Sequence, residues 1–193
     1  MKSLLIAAIC TVLAAPAISQ RLSKITIGDN GNLELMAFEM EPNVLMVVSE
    51  TGNVIRWGED IYVQNGVENF ETKLRDYMGR VEYYAATDNE AFRGKLKYLG
   101  RLLLTYYASY EDESLRGKLK SIGSVTLNYY QNFENEAYRG KLKSIGGSDV
   151  TWYSNFDNAA YKGKLKSIGA AEITGESPDS QAGFQQILLA FQA

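Results

Sequence analysis

FRGKLKYLG at residues 92–100 recurs three more times along the chain, as LRGKLKSIG at 115–123, YRGKLKSIG at 138–146 and YKGKLKSIG at 161–169. The interval is constant: the first glycine of each copy lies 23 residues after that of the preceding copy, at Gly94, Gly117, Gly140 and Gly163. A fixed period of this length indicates a repeat protein, in which each copy buries its apolar face mainly on its neighbours.

Each repeat has the composition of a β-hairpin. GKLKSIG forms one strand, a segment such as VTLNYY returns, and a loop such as NFENEAYRG leads to the next copy. Glycine together with β-branched and aromatic residues favours strands over helices. Repeats this short leave no room for a parallel crossover, so neighbouring strands must be antiparallel. We therefore predict an all-β fold, an elongated single-layer antiparallel sheet of 23-residue hairpins.

Alternation along the strands assigns side chains to the two faces of the sheet. An apolar file on one face is formed by Leu96, Leu119, Leu142 and Leu165, and another by Val81, Leu104, Leu127 and Val150. Aromatic residues lie two positions after the second file and share its face: Tyr83, Tyr106, Tyr129 and Trp152. Ile122 and its equivalents have the wrong parity for a straight strand, which predicts a β-bulge or turn near residue 121 and the matching positions.

The two ends differ from the array. Residues 20–69 predict an antiparallel β-meander that starts the sheet and closes its first edge, with residues 44–48 covered on both faces because all five are apolar. FETKLRDYMG at 70–79 is an imperfect copy, so we place the repeats at 70–169. Residues 170–193 predict a linker followed by a short capping helix or strand.

The first 19 residues have the pattern of a signal peptide. Lys2 precedes a short apolar run from Leu4 to Ala15, and small residues precede Gln20. The run is too short to span a membrane. We expect cleavage near Ser19 and a periplasmic or extracellular mature chain that does not span a membrane. The single cysteine, Cys10, lies in the removed segment, so the mature chain has no thiol or disulfide.

Composition narrows the function. The chain has no histidine, which removes the usual general base, the usual zinc ligand and the Ser/His and Cys/His nucleophiles. We therefore predict a non-enzymatic protein with no catalytic residue, metal or cofactor, and keep a carboxylate-dependent polysaccharide hydrolase or lyase as the alternative. A pI near 5.2 and export disfavour a nucleic-acid partner.

The candidate binding surface is the face opposite the leucines. It is predicted to carry a tyrosine row, Tyr84, Tyr107, Tyr130 and Tyr153. Paired lysines are predicted beside that row: Lys95, Lys97, Lys118, Lys120, Lys141, Lys143, Lys164 and Lys166. Regularly spaced cations and rings suit an envelope protein or an acidic polysaccharide, although lysines on an exposed face also serve solubility alone. Residues 79–169 carry 14 Lys and Arg against 10 Asp and Glu.

The connecting loops are rich in oxygen ligands. Their Asn, Asp and Glu residues could suit Ca²⁺, but none has the spacing of a calcium loop, and ordinary Asx-turn chemistry explains them as well.

The phrase Tyr138-Arg139-Gly140, followed by Lys141-Leu142-Lys143 and Gly146, resembles the hairpin repeats of the MORN type, particularly bacterial variants with a GKLKxxG-like strand. The resemblance covers residues 70–169, and the Gly-x-Gly of the better-known MORN pattern is absent. It implies a single-layer antiparallel sheet and a scaffold or binding surface without catalysis. Together these observations predict an exported structural or binding scaffold of the bacterial cell envelope.

Overall fold

The computed structural model describes residues 21–28, 31–60 and 74–172, and within them every regular element is a β-strand. The predicted signal peptide lies outside these residues, as do the predicted linker and cap at 170–193 except for residues 170–172, which complete the last hairpin. The first sheet consists of β1 (Arg21–Ile27), β2 (Leu33–Glu41), β3 (Val44–Ser49), β4 (Val54–Asp60) and β5 (Leu74–Arg75), in chain order. All its pairs are antiparallel, and residues 44–48 are all buried, as the sequence predicted.

The second sheet contains the repeats. Its nine strands are β6 (Val81–Tyr83), β7 (Leu96–Leu99), β8 (Leu102–Tyr106), β9 (Leu119–Ile122), β10 (Val125–Tyr129), β11 (Leu142–Ile145), β12 (Ser148–Trp152), β13 (Leu165–Ile168) and β14 (Ala171–Glu172). Their order in the sheet follows the chain, and every pair is antiparallel. The predicted all-β fold of antiparallel hairpins is confirmed.

Each hairpin closes on a two-residue turn that begins with glycine. Ile122 pairs with Val125, for example, so that only Gly123 and Ser124 remain between the strands. The first turn residue has φ between 54° and 60° in all four hairpins, at Gly100, Gly123, Gly146 and Gly169. Glycine accepts this left-handed backbone without strain, and a glycine at this position is typical of tight hairpin turns.

A β-bulge recurs in the first strand of every hairpin. Thr105 pairs with Ser121 while the next residue, Tyr106, pairs with Leu119, which leaves Lys120 as the extra residue. The same shift leaves out Lys97, Lys143 and Lys166. Because one residue is bulged, Leu119 and Ile122 both point to the buried face although they are three positions apart. The bulge predicted near residue 121 is confirmed.

The meander is a separate sheet and not the first edge of the repeat sheet. Met36, Phe38 and Met46 on its strands are fully buried in the same apolar cluster as the repeat leucines. β5, within the imperfect copy at 70–79, pairs with β4 of the meander. The prediction that the meander starts the repeat sheet is therefore wrong, because its apolar face lies against the leucine face and buries both.

Two backbone hydrogen bonds join the sheets. The N–H of Leu119 donates to the carbonyl of Gly52 (2.9 Å), and the N–H of Leu165 donates to the carbonyl of Gly31 (3.3 Å). Both leucines are next to a bulged lysine, and a bulge locally disrupts ladder pairing and leaves backbone groups available. Two turns of the meander thus accept hydrogen bonds from backbone N–H groups of two repeats that are not adjacent.

Candidate functional site

The four tyrosines predicted to contact a ligand, Tyr84, Tyr107, Tyr130 and Tyr153, are less accessible than their sequence parity suggested. Three of them donate their hydroxyl to a carbonyl of the next repeat: Tyr84 to Leu104 (2.7 Å), Tyr107 to Leu127 (3.1 Å) and Tyr130 to Val150 (3.1 Å). Tyr107 is 7% exposed, and the other three are half-buried. The prediction of an exposed row is wrong, because the rings of Tyr84, Tyr107 and Tyr130 pack along the neighbouring hairpin and that of Tyr153 packs against Tyr161. Their role in binding stays a prediction.

A second row of aromatic residues lies on the buried face of the sheet, and two of its rings contact tyrosines of the first row. Tyr106, Tyr129 and Trp152 are buried with the leucines, as predicted, whereas Tyr83 at the edge is exposed. Each of the three buried residues donates to the carbonyl of a leucine ten positions earlier, at 2.7 to 2.9 Å. Burial raises the pKa of Tyr106 and Tyr129, and, with nearby Tyr138, that of Tyr130 to about 12. These hydroxyls remain protonated donors near neutral pH.

The first lysine of a pair lies beside the meander in three repeats, at Lys118, Lys141 and Lys164. Lys118 lies beside the Gly52 turn, and Lys141 is 3.8 Å from the carboxylate of Glu50. Their amines donate to a glycine carbonyl of the next repeat, that of Gly140 for Lys118 and, at 2.7 Å, that of Gly163 for Lys141. Burial lowers the pKa of Lys118, as it does for the equivalent Lys95.

This arrangement corrects the predicted face of four lysines: Lys95, Lys118, Lys141 and Lys164. Lys95, Lys118 and Lys141 pass along buried aromatic rings, and the amine of Lys141 is 4.5 Å from the ring centre of Trp152. Lys164 lies beside the Gly31 turn of the meander, with its amine 5.7 Å from the ring centre of Tyr161. The first lysine precedes the strand and follows a glycine with positive φ, so strand alternation does not apply to it. Through hydrogen bonds to a glycine carbonyl of the next repeat, Lys95, Lys118 and Lys141 connect consecutive repeats.

The second lysine of each pair is the bulged residue and points outward: Lys97, Lys120, Lys143 and Lys166. Their amines lie 4.9 to 5.5 Å from the ring centres of the tyrosines on that side. Lys143 is 48% exposed, against 21% for Lys141 two residues earlier. Lys120 and Lys143 form ion pairs with Glu111 (2.8 Å) and Glu134 (2.7 Å). We call these four residues the lysine row; it is the part of the predicted surface that solvent reaches.

The acidic residues of the loops close turns. The carboxylates of Asp88, Glu111, Glu134 and Asp157 each accept from the backbone N–H three positions earlier, at 2.6 Å. Asn89, Asp112, Asn135 and Asn158 accept from the N–H two positions later. These hydrogen bonds account for the eight side chains by Asx-type turn chemistry. Within the described ranges, no three Asp or Glu side chains gather as a metal site would require.

Sequence reasoning missed a third file, formed by Tyr110, Phe133 and Phe156. Their side chains are 85%, 82% and 94% exposed. The 23-residue spacing was visible in the sequence, but the file falls in loops, where strand alternation assigns no face.

In the part of the chain that the structure describes, no helix is long and apolar enough to cross a membrane. Comparison with models of protein families, with curated proteins and with solved structures found no match to the chain.

Proposed function

We propose that the protein is a non-enzymatic scaffold of the bacterial cell envelope, exported with loss of residues 1–19, that binds an acidic partner along its repeats. The observation that carries this proposal is the lysine row, in which one solvent-facing amine recurs per hairpin at the same bulge. Two strands of about 4.8 Å spacing separate successive amines, so they recur roughly every 10 Å along the sheet.

Rigid spacing supports binding of an elongated partner. The bulge fixes where each amine leaves the sheet, and a tyrosine ring within 4.9 to 5.5 Å holds it there. A partner with regularly placed carboxylates, such as a polyuronate chain, meets several amines without further ordering of the protein. Preorganisation of this kind lowers the entropic cost of binding.

The test compares two triple variants with the same change of charge. Lys120→Gln, Lys143→Gln and Lys166→Gln remove amines from the lysine row, and Arg116→Gln, Arg139→Gln and Lys162→Gln remove exposed cations from the loops. Binding to a soluble polyuronate and to purified envelope fractions is measured at low and high salt. We expect the lysine-row variant to bind at least about tenfold more weakly at low salt, with the loop variant less affected.

Equal binding by the wild type and the lysine-row variant at both salt concentrations would show that the row is only solubilising. Release of shortened chains from a polysaccharide, abolished by one Asp or Glu substitution, would establish the hydrolase or lyase instead. Fractionation of cells that produce the full chain tests export. A mature chain starting at Gln20 in the periplasm supports it, and an uncleaved cytoplasmic chain contradicts it.

A further inference from the structure

Three exposed aromatic side chains form a line along the loop edge of the repeat sheet. Tyr110, Phe133 and Phe156 occupy the same position in three consecutive loops and are more than four-fifths exposed. We call them the aromatic ridge. Single exposed apolar residues are common on protein surfaces, but a ridge repeated with the period of the fold is not explained by that general tendency.

Each residue of the ridge is the third residue of a rigid four-residue turn. In the turn containing Phe133, the N–H of Glu134 donates to the carbonyl of Gln131 (3.1 Å), and the carboxylate of Glu134 accepts from the N–H of Gln131 (2.6 Å). The turns around Tyr110 and Phe156 are closed in the same two ways. The rings are therefore held outward on an ordered backbone.

The first repeat shows that the turn does not need an aromatic residue. Asp88 closes the equivalent turn onto Ala85 with a backbone hydrogen bond of 3.0 Å and a carboxylate hydrogen bond of 2.6 Å. The residue between them that corresponds to the ridge is Thr87. Since threonine suffices for the fold, exposing a phenyl ring in the later repeats needs another reason.

We propose that the aromatic ridge binds one extended glycan chain with equatorial linkages, of the cellulose or chitin type, by stacking alternate sugar rings on Tyr110, Phe133 and Phe156. Adjacent ridge residues are roughly 10 Å apart, since two strand spacings separate them, and the disaccharide repeat of such a glycan has about the same length. This inference rests on the proposed function as a binding scaffold and names the sugar-contacting site.

The surroundings of the ridge suit a sugar better than a lipid surface. Asn132 and Asn155 are exposed immediately before the two phenylalanines and can hydrogen-bond to hydroxyl groups. Exposed carboxylates and exposed cations are mixed on these loops, Glu113 with Arg116 and Glu136 with Lys162 at 3.1 Å, so the loops offer no charge of a single sign to anionic lipid headgroups. A sugar ring has an apolar face and hydroxyl groups around its edge. It can therefore stack on an exposed aromatic side chain while its hydroxyls reach the neighbouring amides and carboxylates.

The experiment measures binding of the mature chain to soluble chitin and cellulose oligosaccharides of increasing length and to purified peptidoglycan sacculi. Affinity should rise with length until roughly five sugars span the three rings. The variant Tyr110→Thr, Phe133→Thr, Phe156→Thr places the first repeat's residue in each loop and should keep the wild-type melting temperature. It should bind at least about tenfold more weakly. Thr87→Phe should extend the ridge and tighten binding to longer chains. Ile55→Thr, an exposed apolar site off the ridge, is the control and should bind normally.

Binding to sacculi but not to oligosaccharides would identify the glycan of the cell envelope as the ligand. Binding to oligosaccharides but not to sacculi would identify a free glycan. Unchanged binding by the triple variant would overturn the proposal, as would a ridge-dependent association with lipid vesicles or with a second copy of the chain in place of glycan. The lysine-row variant separates the two proposals. If it binds oligosaccharides as the wild type does while the ridge variant does not, the ridge holds. Its binding to the polyuronate then decides the charge-based proposal, which fails if that binding is unchanged at both salt concentrations.

Discussion

At the scale of single residues, Gly52 and Gly94 have nearly the same positive φ but different surroundings. Their φ angles are 80° and 75°. A Cβ on Gly94 would have no atom within 4 Å, whereas one on Gly52 would overlap the phenol of Tyr129, with Cζ at 2.7 Å. Tyr129 is buried and hydrogen-bonded to Leu119, so its ring has no room to withdraw.

Alanine at these two glycines separates backbone strain from the packing of the two sheets. Gly94→Ala should lower the free energy of unfolding by about 1 kcal/mol, through the left-handed backbone alone. Gly52→Ala should cost about 3 kcal/mol or more, since it also displaces Tyr129 and disturbs the hydrogen bond from Leu119. Urea denaturation of the two variants measures the difference. Similar losses would mean that the meander turn does not fix the repeat sheet.

The tyrosine row shows what parity alone misses at this scale. The sequence placed Tyr84 and its equivalents on the face away from the leucines. Their rings do contact the outward lysine row, but Tyr107 belongs to the buried apolar cluster, and Tyr84 and Tyr130 pack against it. These tyrosines are buried because their hydroxyl groups donate to a carbonyl twenty residues later, in the neighbouring hairpin, as Tyr107 does to Leu127. Such a partner becomes visible only once the stacking of the hairpins is known.

At the scale of the element, the bulged strand gives two lysines in one GKLK phrase opposite surroundings. The amine of Lys118 donates to the carbonyl of Gly140 and lies 5.1 Å from the ring centre of Tyr129. Lys120 is exposed and pairs with Glu111 at the surface. The sequence predicted the bulge from the apolar spacing, but it could not show that the lysines diverge, because the first lysine lies outside the strand.

Methionine at these positions tests the divergence while keeping an unbranched stem. Lys118→Met leaves the Gly140 carbonyl without this donor and should lower the free energy of unfolding by about 1–3 kcal/mol. Lys120→Met removes one surface ion pair and should change it by less than about 1 kcal/mol. Chemical denaturation of both variants provides the measurement. A larger loss for Lys120→Met would contradict the assignment of structural and outward lysines.

At the scale of the whole molecule, the second sheet changes how the repeats depend on one another. A repeat array on its own is coupled only through nearest neighbours, so its stability grows repeat by repeat. Here the meander bonds to Leu119 and to Leu165, two repeats apart, and shares one apolar cluster with all the hairpins. The sequence indicated the meander strands but not this packing, since alternation identifies an apolar face without identifying what covers it.

The coupling predicts that both sheets unfold together, and each sheet contains one of the chain's two tryptophans. Trp57 lies in β4 and Trp152 in β12. Trp152→Tyr replaces the tryptophan by tyrosine, the residue found at the equivalent positions 106 and 129 of the preceding repeats. Trp57 is then the only indole in the chain. Trp57→Phe leaves Trp152. In each variant the fluorescence transition in urea should coincide with the loss of strand signal in circular dichroism.

The reason for this expectation is that separating the sheets would expose Met36, Phe38 and Met46 on one side and Leu96, Leu119, Leu142 and Leu165 on the other, which are 0 to 3% exposed. Neither sheet has another described surface on which to bury that area, so a state with one sheet unfolded leaves the other sheet without the apolar contacts that stabilise it. If Trp57 fluorescence changed at a lower urea concentration than the circular dichroism, the meander would be an appendage. The repeats would then be stabilised by lateral stacking alone.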